Sequence, residues 1–266
     1  MIIEKELDSV ESVLSILSEQ IEDKSTNRYR SSFLYRGLPN KEYKLKTSLQ
    51  RNCKDKKNEL EKSILRNFSK YAQIIDPRIG SSIWRQMVIG QHHGLPTRLL
   101  DWTLSPLVAL HFALGESNLE KMQAEDGVIW KIDIKELIRL YPLRYQEKLN
   151  NERAWLFTVD MLEQVVADLS IYDYEMGESS MLILEPPSID QRIISQYSMF
   201  SVVPTAIYEI EDFLDSNTNN TTKYLLRKEI KWRIRDMLDQ MNMNERTIMP
   251  GLDGLCSWLQ RHYYVK

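Results

Sequence analysis

The stretch Gln91-His92-His93-Gly94-Leu95-Pro96-Thr97-Arg98-Leu99-Leu100-Asp101-Trp102-Thr103 gathers two histidines, an arginine, an aspartate and a tryptophan. A loop that only connects elements is rich in small polar residues, and a core strand has little use for Arg98 and Asp101 around two leucines. The stretch therefore reads as a dense polar loop that forms a site. Ser105-Pro106 then opens a buried helix, Leu107 to Leu114, with serine as its cap and proline in its first turn. Free backbone N–H groups at such a helix start favour anions. The competing reading is a tightly bonded structural loop in which Arg98 and Asp101 pair with each other.

Other chemistries find few residues. The four histidines are His92, His93, His111 and His262, and no His-Glu-x-x-His helix or cysteine cluster accompanies them, so no metal is expected. Cys53 and Cys256 have no nucleophile motif around them, and there is no Gly-x-Ser-x-Gly elbow or phosphate-binding glycine loop. What remains is a set of anion and base binders: Tyr35-Arg36-Gly37, Gln91-His92-His93, Arg98, Asp101, Trp102 and Gln196. An arginine that ends a strand can fork onto a phosphate, and a following glycine lets the backbone come close. Tyr35, Trp102 or Tyr197 could stack on a base or a nicotinamide ring, and for each the alternative is a core aromatic with one satisfied polar tip.

The elements around these residues are those of one globular unit. The chain has 266 residues, 42% apolar and 27% charged, enough for a sizeable core. A net charge of −3 argues against a protein held to nucleic acid by bulk charge, though a local patch can suffice. Lys41, Lys44, Lys46, Arg51, Lys54, Lys56 and Lys57 make one basic stretch, which reads as a solvated face or, if it borders the site, as a phosphate contact. No run of about 18 apolar residues exists, and the start lacks the pattern of a signal peptide, so a cytoplasmic protein with no membrane partner is expected.

Apolar spacing predicts helices over residues 8–22, 59–75, 82–90, most of 135–170, 224–242 and the tail near 252–259. Strands are predicted at 31–37, 127–134, 181–187 and 206–210, with a short extended piece at 43–49 and a mobile polar loop at 215–222. The interleaving implies an α+β fold: one mixed domain (31–266) with a mostly antiparallel sheet flanked by helices, and an N-terminal amphipathic helix (1–30) packed on it.

Tyr35-Arg36-Gly37 together with Gln91 to Thr103 resembles the FRG domain family, named for its (Phe/Tyr)-Arg-Gly motif and found in bacteria and phages. The likeness extends to Glu61 ahead of Ile64 and Phe68, to Ala109 and Phe112-Ala113, to Arg192-Ile193 with Gln196 and Phe200, and to Met249-Pro250-Gly251-Leu252-Asp253-Gly254. It thus covers about residues 30–260. Leu34-Tyr35-Arg36-Gly37 is also similar to the first motif of ADP-ribosyltransferases of the arginine–serine–glutamate class. There the arginine ends a strand and binds NAD phosphate. Thr103 with Ala109, Phe112 and Ala113 resembles the second motif. The third motif departs: the comparable strand opens at Asp190-Gln191-Arg192, with no glutamate in the catalytic place.

The resemblance implies an ADP-ribosyltransferase-like sheet and NAD as a substrate. Arg36 would grip the pyrophosphate, with Tyr35, Gly37, Arg98 and Thr103 around the dinucleotide. Gln91, His92 or His93 would fix the nicotinamide ribose, and Gln196 would orient the 2′-hydroxyl or the acceptor. Asp101 or Glu61 would stabilise the oxocarbenium-like transition state, with Asp101 preferred because Arg98 and Trp102 flank it. The implied role is a toxin or defence effector that modifies RNA, DNA or protein and is neutralised by an antitoxin protein. The rival implication is a non-catalytic nucleotide-sensing or protein-interaction module.

Overall fold

The computed structural model describes residues 1–19, 21–24, 26–115 and 119–266. Eight strands form one sheet, in the spatial order β1 (Ile3–Leu7), β10 (Thr222–Leu226), β6 (Gly127–Asp133), β4 (Phe33–Leu38), β5 (Leu99–Thr103), β9 (Ser198–Val202), β8 (Leu182–Glu185) and β7 (Phe157–Thr158). The two outermost pairings, β1 with β10 and β7 with β8, are parallel, and the five between them are antiparallel. A separate hairpin joins β2 (Ile21–Asp23) to β3 (Arg28–Arg30). The α+β class and the antiparallel core are as the sequence predicts.

Period-two alternation sets the faces. In β4, Phe33 and Tyr35 turn to one core and Leu34 to the other. β6 is buried along its whole length, which its apolar, β-branched run requires. The helices that matter here are α1 (Val10–Ser15), α2 (Ser48–Cys53), α3 (Lys57–Ala72), α4 (Ile83–His92) and α5 (Pro106–Leu114). α5 packs Ala109, Leu110, Ala113 and Leu114 against Phe33, Tyr35, Ile129 and Tyr224, backed by Ile234 and Leu238 of the helix Lys231–Gln240. The larger core sets Leu65 of α3 and Trp84, Met87 and Val88 of α4 together with Leu34, Leu100, Trp130 and Leu184.

Several sequence expectations are corrected. Leu99–Thr103 is a central strand, not a loop, because Arg98 just before it and Asp101 on its exposed face find polar partners while Leu99, Leu100 and Trp102 are buried. Residues 8–22 are helical only to Ser18, and the segment before α1 supplies the edge strand β1. Ala206 to Glu209 form no strand. Ile210, Phe213 and Leu214 bury one face of the helix Ile210–Asn217, which takes up part of the stretch expected to be a mobile loop. Tyr224 and Leu225 belong to β10, where Thr222, Tyr224 and Leu226 are buried in alternation. Asp190 is the N-cap of a helix, Gln191–Ser195, so the strand expected to open there begins only at Ser198.

Candidate functional site

β4 and β5 share one ladder pair, Tyr35 with Thr103. Beyond it β4 stays with β6 through Leu38, while β5 stays with β9 back to Leu99. The sheet therefore divides next to Arg36, and a cleft of about 270 Å³ lies there. Its lining includes Tyr35, Arg36, Gly37, Gln91, Asp101, Trp102, Thr103, Arg192 and Gln196.

Arg36 spans the division. Its Nη1 donates to the backbone carbonyl of Asp101 (2.6 Å) and lies 3.5 Å from Asp101 Oδ2. Burial and the like charge of Arg51 pull its pKa down, against the opposing pull of Asp101. Arg36 Nε is buried with no hydrogen-bond partner among the described residues, an arrangement that an anionic ligand would complete.

Asp101 Oδ2 accepts a hydrogen bond from Gln91 Nε2 (3.0 Å), and about half of the carboxylate side chain is exposed. The Gln91 amide cannot turn freely. The Thr97 hydroxyl donates to its Oε1 (2.7 Å) while accepting the Leu99 N–H (3.1 Å), which leaves the amide nitrogen to face Asp101. α4 delivers Gln91 from its last turn, so strand, helix and turn fix one carboxylate between two donors.

Thr103 lines the cleft but its hydroxyl is engaged. It donates to the Gln196 carbonyl (2.6 Å) and accepts the Ser105 N–H (3.0 Å), tying the second wall of the cleft to the start of α5. Ser105 caps α5 with Pro106 in its first turn, as the sequence predicts. Gln196 donates from Nε2 to the Ile248 carbonyl (3.2 Å), which leaves Oε1 to meet a ligand. Trp102 and Tyr35 are core aromatics: the Trp102 indole N–H donates to Ser201 Oγ (3.0 Å), and burial pushes the Tyr35 phenol up to about 12.

Gly37 has a packing role in addition to the one expected. A Cβ there would lie 1.8 Å from the Ala109 carbonyl oxygen and 2.7 Å from the Ala113 nitrogen. The glycine lets α5 lie directly on β4, and it also lines the cleft.

Arg98, His92 and His93 do not line the cleft. Arg98 is buried and forks onto Glu61, with Nε 2.7 Å from Oε1 and Nη2 on Oε2, while Nη1 donates to Asp173 Oδ1 (2.6 Å). Burial works against its charge, but the two carboxylates prevail and raise its pKa. Arg98 and Glu61 are thus removed from the site as each other's partners, and the pairing of Arg98 with Asp101 does not occur. His92 Nε2 lies 3.5 Å from Asp190 Oδ1, bracing the helix that carries Arg192. His93 is the C-cap of α4.

Arg192 is a cleft residue that the sequence-based candidates lack. It lines the cleft with no ion pair or side-chain hydrogen bond among the described residues. Its place in the Arg192-Ile193 pair that carries the family likeness was the one available signal. Of the basic stretch, Lys41 pairs with Asp126 (3.2 Å), Lys44 with Glu211 (3.9 Å) and Lys46 with Glu209 (3.4 Å), as on an ordinary solvated face. No helix among the described residues is long and apolar enough to cross a membrane.

Neither a curated protein nor a solved structure matches the chain. The family match covers less of the chain than the motifs suggest, and it takes in the first wall of the cleft, with Arg36, Gln91 and Asp101, but not Arg192 or Gln196. Residues 31–122 match the family model of the FRG domain.

Proposed function

We propose that the cleft binds NAD and transfers its ADP-ribose to an acceptor, as an ADP-ribosyltransferase-like toxin or defence effector. The observation that carries this reading is the unpartnered Nε of Arg36 beside a half-exposed Asp101 that Gln91 holds in place. In this reading Arg36 and Arg192 take the pyrophosphate as forked donors. The bond between C1′ and the nicotinamide nitrogen breaks with its electron pair leaving on nicotinamide. Asp101 stabilises the positive charge that develops on the ribose, and an acceptor nucleophile closes the new bond at C1′ as its proton departs. The acceptor would be RNA, DNA or protein, and a cytoplasmic activity of this kind would require a neutralising partner protein.

Incubation with adenylate-labelled NAD and cell extract, split into protein and nucleic-acid fractions, tests this. Label should enter one fraction, disappear with Arg36→Ala, and fall about 100- to 1,000-fold with Asp101→Asn. Intact NAD and unlabelled fractions would sink the reading.

A second reading, a non-catalytic nucleotide-sensing or interaction module, is favoured by one observation. Asp101 is the one carboxylate among the lining residues, and Arg36 and Gln91 already oppose its charge. That module would bind NAD equally in the wild type and in Asp101→Asn while consuming it in neither.

A further inference from the structure

A second depression, of about 520 Å³, is lined by Lys135, Arg139, Asn150, Arg153 and Trp155 over an apolar floor that includes Ile138 and Leu149. It lies where β6 runs into the helix Ile134–Arg139 and meets the end of the helix Leu143–Glu152. Asp133, the last residue of β6, pairs with Phe33, whereas Trp130 pairs with Arg36. The groove and the cleft thus belong to opposite ends of β4.

The cations here contrast with several others on the protein. Arg98, Lys131, Arg144 and Arg261 each meet a carboxylate. Lys135, Arg139 and Arg153 form no ion pair among the described residues, and no carboxylate lines the groove. Beside them Trp155 is 58% exposed, with Lys135 Nζ 5.0 Å from its ring centroid. An exposed indole beside three cations without carboxylate partners offers a flat aromatic face next to positive charge.

We infer that this groove binds a single-stranded nucleic acid, with a base stacked on Trp155 and the flanking phosphates held by Lys135, Arg139 and Arg153. Every base has a π-face and every phosphate a negative charge, so an indole ringed by cations matches a single strand without reading its sequence. An acidic peptide would satisfy the cations but leave the indole without a planar partner. The inference does not depend on what the cleft does.

Fluorescence anisotropy of a labelled single-stranded oligouridylate, measured over a range of salt, tests it. The wild type should bind saturably, with affinity falling as salt rises. Trp155→Ala should weaken binding about tenfold or more while leaving the salt dependence unchanged. Lys135→Gln, Arg139→Gln and Arg153→Gly should each weaken binding and lower the logarithmic salt slope by about 0.7. Arg153 has φ +51°, so glycine suits its backbone and the fold should be retained. Lys54→Gln with Lys56→Gln, in the other basic stretch, should change nothing. The inference is overturned by absent binding, by equal loss in that control, by equal affinity for a duplex of the same length, or by polyglutamate competing as well as the oligonucleotide.

Discussion

At the scale of residues, the division of labour between two arginines is the main result. Arg36 and Arg98 stand in equally suggestive motifs, yet Arg36 reaches a cleft and Arg98 reaches Glu61 and Asp173 in the interior. Arg98→Ala would leave two carboxylates without their cation, and the expected cost is about 3–5 kcal/mol. Urea denaturation checks this, and the folded fraction should keep whatever ligand affinity the wild type has. Thr97→Val is a sharper probe of the site. Without the hydroxyl the Gln91 oxygen loses its donor and the Leu99 N–H its acceptor, so ligand affinity should fall about tenfold with a stability loss of about 1–3 kcal/mol. Titration calorimetry with NAD gives the affinity, and an unchanged value would show that the Gln91 orientation has no bearing on binding. Tyr35-Arg36-Gly37 was legible as a strand bearing a cation, because alternation is a local signal, although β4 runs through Gly37 to Leu38 and does not stop at the glycine. The partner of Arg98 was not legible, since Glu61 and Asp173 lie 37 and 75 residues away along the chain.

At the scale of elements, the seat of α5 on β4 decides whether the cleft exists. Its apolar residues run nearly all round the helix, which suits an element covered on every side. Gly37→Ala would drive a methyl group into the Ala109 carbonyl, and the expected loss is about 1–3 kcal/mol or more. Ala109→Gly should not rescue it, because the clash is with backbone. Gly94→Ala is the contrast: nothing lies within 4 Å of its Cβ position, but its φ of +81° strains any other residue. Thermal denaturation of the two variants should show the larger drop for Gly37→Ala, and the reverse order would contradict the packing role. The capping of α5 by Ser105 was readable from two adjacent residues. The helix that carries Arg192 was not, since its five residues are too few to show a period.

At the scale of the whole molecule, the second core is closed by a buried polar cluster. Arg235 meets His111 through Nη1 and Nδ1 (2.8 Å) and donates to its carbonyl from Nη2 (2.9 Å). Nearby, Arg261 binds Asp239 and Glu245. Burial, helped by the Arg235 charge, lowers the His111 pKa to about 3, so the imidazole is neutral and accepts from the guanidinium. Burial likewise lowers Arg235, to about 10. Between pH 6.5 and 3 the unfolded chain therefore binds a proton at His111 that the folded chain refuses. Stability from this group is full above pH 6.5 and declines by about 1.4 kcal/mol per unit as the pH falls through that window. A series of melting curves between pH 7.5 and 4.5 should show the slope. His111→Gln keeps an acceptor for Arg235 without a titrating group, and it should flatten the curve by about that amount per unit.

What the sequence determined by itself is local. Alternating apolar residues made β4 and β6 and assigned their faces, helical spacing made α3 and α4, and Ser105-Pro106 placed the start of α5. These follow from side-chain direction and backbone satisfaction within a few residues. The tertiary structure alone decided which polar groups meet. It made Leu99–Thr103 a strand by giving Arg98 its distant carboxylates, and it parted β4 from β5 after a single pair so that Arg36, Gln91, Asp101, Arg192 and Gln196 share one cleft. It also spent Arg98 and Glu61 on each other. A buried charge persists only where an opposite charge reaches it, and no stretch of sequence records which distant residue will do so.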